Sequence, residues 1–168
     1  FVTIVLLVFL GNFRAVGITL FVLPFAFVMS IVILRMAGIS LNVMTLGGLA
    51  VAIGSLTDDA VVTVENIIRW LKIRRQKAKE LQEPIAHIIV KALDEVKGSI
   101  IFSTILVILV FLPLFALDSI EGRLLAPLGT AYILVLIVST IVAMTLTPIL
   151  CYWLLPKSSI IRENKETW

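Results

Sequence analysis

The stretches 15–34, 100–117 and 124–155 are long enough to cross a bilayer and hold no charged residue. A hydrocarbon layer about 30 Å thick takes roughly 20 residues of helix, and only a helix or a closed barrel satisfies its own backbone there. The runs are apolar throughout and do not alternate, so no barrel pattern competes. Composition agrees. Of the 168 residues 60% are hydrophobic and 15% charged, and a water-soluble domain of this size has too little interior for so much apolar surface. The fold class is an all-α polytopic membrane protein, a helical bundle.

A fourth span, 43–68, differs in carrying Asp58 and Asp59. Residues 1–10 (FVTIVLLVFL) are apolar but lack the basic start and cleavage site of a signal peptide, and read as the end of a truncated transmembrane helix. The expected order is therefore that helix end, spans at 15–34 and 43–68, a cytoplasmic amphipathic segment at 69–97, spans at 98–117 and 125–155, and a cytoplasmic tail at 156–168. That makes four full transmembrane helices plus the end of a fifth. Pro24 and Pro113 mark kinks, while Pro127 suits the first turn of the last helix and Pro148 its bend or end.

Of the 14 Lys and Arg, those between Arg69 and Lys97, together with Arg14 and the three in the tail, fall on one side of the alternating spans; Arg35 and Arg123 alone fall on the other. Cytoplasmic loops carry the excess of cations, which places 69–97 in the cytoplasm and 38–41 and 120–122 opposite. Trp70, Tyr152 and Trp153 then lie near the cytoplasmic interface, where aromatic belts form. After Pro84 the apolar Ile85, Ile88, Ile89, Ala92 and Val96 recur at helical spacing, an amphipathic connecting helix. Basic residues at a membrane surface leave no case for nucleic-acid binding. A single cysteine (Cys151) and a single histidine (His87) provide neither a disulfide nor a His-rich metal site, and no cofactor is expected.

The stretch 47–66 (GGLAVAIGSLTDDAVVTVEN) carries the chemistry. An ionised Asp at the centre of a membrane helix costs about 2.5–3.5 kcal/mol on insertion scales, so intramembrane carboxylates are functional candidates that face protein or trapped water. Helix neighbours point ~100° apart, so Asp58 and Asp59 address different surroundings. Two adjacent carboxylates in a medium of low dielectric cannot both carry charge cheaply, so one or both hold a proton at one stage of a cycle and release it at another. A proton relay needs that property; a polar anchor between helices is the plainer reading. No Lys, Arg or His lies inside the four spans, so a counter-charge has to come from elsewhere. Gly48/Ala52 and Ala50/Gly54 are small-xxx-small pairs that let helices approach closely. Glu65 and Asn66, near the end of the span, either extend a hydrated path from the aspartates or cap the helix.

The segments GGLAVAIGSLTDDAVVTVENIIRWL, EVKGSIIFSTILVILVFLPLFAL, IEGRLLAPLGTAYI and LTPILCYWLL resemble resistance–nodulation–division (RND) efflux permeases, most of all the heavy-metal (cobalt–zinc–cadmium or copper–silver) branch. The resemblance runs to about Pro156. It implies a proton-driven antiporter of the bacterial inner membrane that exports heavy-metal cations, with Asp58 and Asp59 at the proton-relay position. It also implies twelve membrane helices in two halves, large periplasmic domains, a homotrimer, and partnership with a periplasmic adaptor and an outer-membrane channel. On that reading this chain is a fragment of the N-terminal membrane half. Many heavy-metal members have acidic residues where this chain has Ser55 and Thr63. Met44, fourteen residues before Asp58 and near the same face, offers a thioether suited to Cu(I) or Ag(I), or simply packs the helix.

Three other functions compete with a heavy-metal pump. An intramembrane aspartyl protease needs two carboxyls converging on one bond, which adjacent residues do not supply; the expectation is therefore no enzyme. A non-transporting fragment or scaffold is the second reading, and an RND pump for organic compounds the third.

Overall fold

The computed structural model describes residues 13–76, 83–117 and 119–155. The expected helix end at 1–10 and tail at 156–168 lie outside the described residues. The rest is all-α: α1 Phe13–Met36, α2 Val43–Gln76, α3 Ile85–Phe115 and α4 Ile120–Leu154. All four are long and apolar enough to cross a membrane, and no strand occurs among the described residues.

Local chemistry sets the helix ends. α1 stops where Gly38 takes φ +73°, a backbone state that costs glycine nothing. There Ile39 N–H bonds Leu34 O at 3.0 Å and Gly38 N–H bonds Arg35 O at 3.1 Å, the paired closure of a Schellman turn. α2 opens with a reciprocal cap. Asn42 Oδ1 accepts from the Thr45 N–H at 2.9 Å, and Thr45 Oγ1 accepts from the Asn42 N–H at 2.8 Å, satisfying donors a helix start leaves unpaired. α4 begins at Ile120, seven residues before Pro127. Ser119 Oγ caps it by accepting from the Gly122 N–H at 3.3 Å. A side chain at 122 would run into the backbone carbonyl oxygen of Leu117, so this turn requires glycine.

The helices outrun the hydrocarbon spans. α2 continues past 68 to Gln76, and α3 starts at Ile85, well before the charge-free stretch at 100–117. The segment around Ile88, Ile89 and Ala92 is thus the first part of α3, and these three side chains are buried by protein.

The chain divides into two compact units. The first comprises Phe1–Val22, Ala60–Lys97 and Ala143–Trp168, and its core includes Ile18, Val64, Ile67, Ile89 and Cys151. The second comprises Leu23–Asp59 and Gly98–Val142, with Leu34, Leu49, Ala52, Ala131 and Val135 buried. In the second unit α2 and α4 approach at Gly48, where an added Cβ would sit 2.5 Å from Leu128 O and 3.2 Å from Ala131 Cβ. The apolar stretch of α3 is only 6% buried, against 33–39% for the other helices. Its Phe102, Leu109 and Val110 face outward, as lipid-facing residues do in a membrane where apolar surface carries no penalty.

Candidate functional site

Asp58 and Asp59 lie near the middle of α2, and their divergence by ~100° gives them different environments. Asp59 is half-buried. Its Oδ2 accepts a hydrogen bond of 3.1 Å from Ser139 Oγ on α4, within the second unit. Ser139 is itself buried, so a hydroxyl withdrawn from solvent meets the carboxylate; such bonds are stronger than neutral ones. Asp58 is exposed. It shares its side of α2 with Gly54, at which an added Cβ meets nothing within 4 Å.

More hydroxyls line the same unit. Tyr132, 7% exposed, pairs its Oη with Ser55 Oγ at 3.2 Å, one helical turn before Asp59. The ring of Tyr132 lies against Phe111 of α3, centroids 4.7 Å apart. Next to Ser139, the Thr140 hydroxyl pairs with that of Thr104 at 2.9 Å. The sequence reading passed over Tyr132 and Thr104. A signal existed for Tyr132: it precedes Ser139 by seven residues, which places both on one face of α4. A tyrosine in mid-span, away from the interfacial belts its hydroxyl favours, also calls for a partner.

Glu65 and Asn66 separate. Glu65 is exposed and Asn66 is buried. In the first unit the Asn66 Nδ2 group donates to Ala92 O at 2.7 Å and to Glu95 Oε2 at 3.1 Å. Glu95 also accepts from Trp70 Nε1 at 2.6 Å and from the Arg69 guanidinium at 3.2 Å, a convergence not foreseen from its place on the polar face of an amphipathic helix. Glu95 precedes the charge-free stretch of α3. The indole N–H of Trp70, followed by the Asn66 amide, holds its carboxyl below the usual carboxylate range. A depressed value means the cluster contributes stability above the ordinary glutamate pKa and loses it as pH falls through the lowered one. With Trp153 and Trp168 replaced by Phe, acid titration of Trp70 fluorescence should therefore show a midpoint below the ordinary glutamate value. A midpoint at or above that value would contradict the arrangement.

The structure does not bring Met44 to the aspartates. It is half-buried in the first turn of α2, about 21 Å along the axis from Asp58 at ~1.5 Å per residue. Among the described residues no group of three or more His, Cys, Asp or Glu is placed to hold a metal ion. His87 lies at the surface, its Nε2 3.5 Å from Glu83.

The chain matches the AcrB/AcrD/AcrF family over residues 1–167. It is 32% identical over 160 residues to the swarming motility protein SwrC of Bacillus subtilis strain 168, covering 94% of this chain and 14% of the relative. It is 33% identical over 165 residues to the multidrug resistance protein MdtC of Escherichia coli strain SE11, covering 98% and 15%. The MdtC of Salmonella typhi is 32% identical over 157 residues, covering 94% and 14%. The chain thus spans about a seventh of the length of these relatives. With four membrane-length helices and a family match along nearly its whole length, the chain belongs to the RND efflux permeases of the AcrB/AcrD/AcrF family.

Proposed function

We propose that this chain supplies the proton-relay segment of a proton-driven efflux antiporter in the bacterial inner membrane, with Asp58 and Asp59 as the proton carriers. The observation that carries this reading is the asymmetry of the pair. Asp59 is held by Ser139 on the protein side, while Asp58 is exposed on a stretch of small residues free to receive another helix. A carboxylate exposed on a membrane helix is costly unless protein, water or a proton compensates it. The compensating group is assigned to the second half of the permease. When Asp59 is ionised it accepts from the Ser139 hydroxyl; when it is protonated, Ser139 can accept instead, because a hydroxyl does both. The pair can thus hold or release a proton without leaving either group unpartnered.

The resemblance to the heavy-metal branch points to metal cations as cargo, whereas the relatives named for multidrug resistance favour organic compounds. Ser55 and Thr63 in place of acidic residues, and the distance of Met44 from the aspartates, lend weight to the organic reading. A homotrimer with a periplasmic adaptor and an outer-membrane channel is the assembly this proposal implies, in contact with membrane lipid.

The test uses a chimera in which this chain replaces the matching segment of SwrC. In proteoliposomes under a proton gradient, the chimera should move organic dyes and the 168-residue chain alone should move nothing. Flux of metal cations but not dyes would return the cargo to the heavy-metal reading. No flux of either by a well-folded chimera would favour a non-transporting scaffold.

A further inference from the structure

Within the second unit, an open groove of about 540 Å3 lies between the α1–α2 turn and the first turns of α4. Its volume is that of a small-ligand site. Arg123, Pro127 and Thr130 line it from α4, spaced i, i+4 and i+7 along one helix face. Ile39, Ser40 and Asn42 line it from the turn, whose backbone is fixed by the closure after α1 and by the reciprocal Asn42–Thr45 cap. Among the described side chains the lining holds one charge, Arg123, and no carboxylate. The Arg123 guanidinium enters none of the ion pairs formed among the described residues. Asn42 spends its Oδ1 on the Thr45 N–H, which leaves its Nδ2 group as a donor. Ser40 and Asn42 are both exposed. The Thr130 hydroxyl donates to Ala126 O at 3.0 Å, and its oxygen keeps a lone pair for a donor from outside. The lining thus suits an anion, with a place for a hydroxyl beside it.

Depth says which anion. Arg123 is the last charged residue before the charge-free run 124–155, and Asn42 directly precedes α2. The groove therefore opens at the edge of the hydrocarbon layer, where lipid head groups lie. One turn further along α2, on the same side as Asn42, Leu46 is 53% exposed and offers an acyl chain an apolar surface. We propose that this groove binds the head group of an anionic phospholipid, phosphatidylglycerol by class. The Arg123 guanidinium takes the phosphate through its fork of donors, Ser40 and Asn42 donate to the remaining oxygens, and Thr130 accepts from a glycerol hydroxyl. Phosphatidylethanolamine fits less well, because its ammonium finds no carboxylate in this lining. A lipid held here bridges the start of α2 to the first turns of α4. The inference uses neither aspartate and stands apart from the proton-relay reading.

Photocrosslinking in the SwrC chimera identifies the occupant. With Leu46→p-benzoylphenylalanine, the chimera is placed in nanodiscs holding equal amounts of phosphatidylglycerol and phosphatidylethanolamine, and the lipid adducts are counted by mass spectrometry. Phosphatidylglycerol adducts should exceed the others about 5-fold, the weight of one cation at a membrane surface. The same probe at Val110, which is 71% exposed on α3, should give the two lipids equally. Arg123→Gln should bring the Leu46 ratio to parity, and Arg123→Lys should keep part of the preference because it keeps the charge but not the fork. Arg35→Gln removes the other cation assigned to this side of the membrane and should change nothing, since Arg35 is outside the groove's lining. Parity in the parent chimera would overturn the site, as would adducts to protein alone, which place another part of the permease over the groove. Equal losses in Arg35→Gln and Arg123→Gln would reduce it to general surface attraction. Loss of the preference on adding excess inorganic phosphate would assign the groove to a soluble anion and overturn the lipid.

Discussion

Asp58→Asn and Asp59→Asn, each introduced into the SwrC chimera, are expected to reduce efflux to the background of cells lacking the pump, with expression unchanged. Asparagine keeps the size and hydrogen-bonding capacity of aspartate but has no proton to release. At position 59 its amide can still pair with Ser139 Oγ, which bonds the carboxylate at 3.1 Å in the parent chain, so the packing of α2 on α4 survives. If the pair merely anchored helices, both substitutions would be harmless or stabilising, because they remove the cost of carrying charge in the membrane. Efflux by both variants at near the parent rate would leave the anchor reading standing. Loss in one alone would assign the titrating proton to that carboxyl and make its neighbour a modulator.

The second large effect concerns packing. Gly48→Ala should destabilise the chain by about 1–3 kcal/mol, the usual cost of forcing a methyl group into a filled contact. The added carbon would sit 2.5 Å from Leu128 O, a backbone atom that cannot rotate away. Gly54→Ala, where nothing lies within 4 Å, should be neutral or stabilising by up to ~1 kcal/mol, because alanine favours the helix. Thermal unfolding of the two variants in detergent, followed by circular dichroism, checks the contrast; equal midpoints would refute the α2–α4 contact.

These two glycines also show where sequence reasoning stops. Gly48/Ala52 and Ala50/Gly54 are equivalent as small-residue pairs, and spacing along one helix does not say which face has a neighbour. The structure buries Gly48 and Ala52 and leaves Ala50 and Gly54 exposed. The spans themselves were legible because lipid imposes a single rule, about 20 residues without charge; α1, α3 and α4 cover the stretches that rule selects, and α2 departs from it only through its acidic residues and its cationic cytoplasmic end. The helix ends were less so. Glu121 and Arg123 put the first turn of α4 outside the charge-free run, and the cap at Ser119 carries a weaker signal than Pro127. Water-facing turns obey capping chemistry rather than hydropathy. The Asp pair was legible from its cost in the membrane, whereas its partner on α4 was not, since several hydroxyls stood at comparable depth. Asn66 was visible as a polar residue near a span end. Its meeting with Glu95, 29 positions away in the chain, depends on how α2 and α3 pack.

The account turns on whether the Asp pair takes up and releases a proton while the protein is folded in a membrane. Infrared difference spectroscopy of the reconstituted chimera across a pH titration reads this directly, through the C=O stretch of protonated carboxyls. The expected result is a carboxyl band that titrates reversibly, shifts in D2O, and disappears when both Asp58→Asn and Asp59→Asn are present. A titration in which the double variant and the parent chimera give the same carboxyl bands would contradict the assignment of the relay to these two residues.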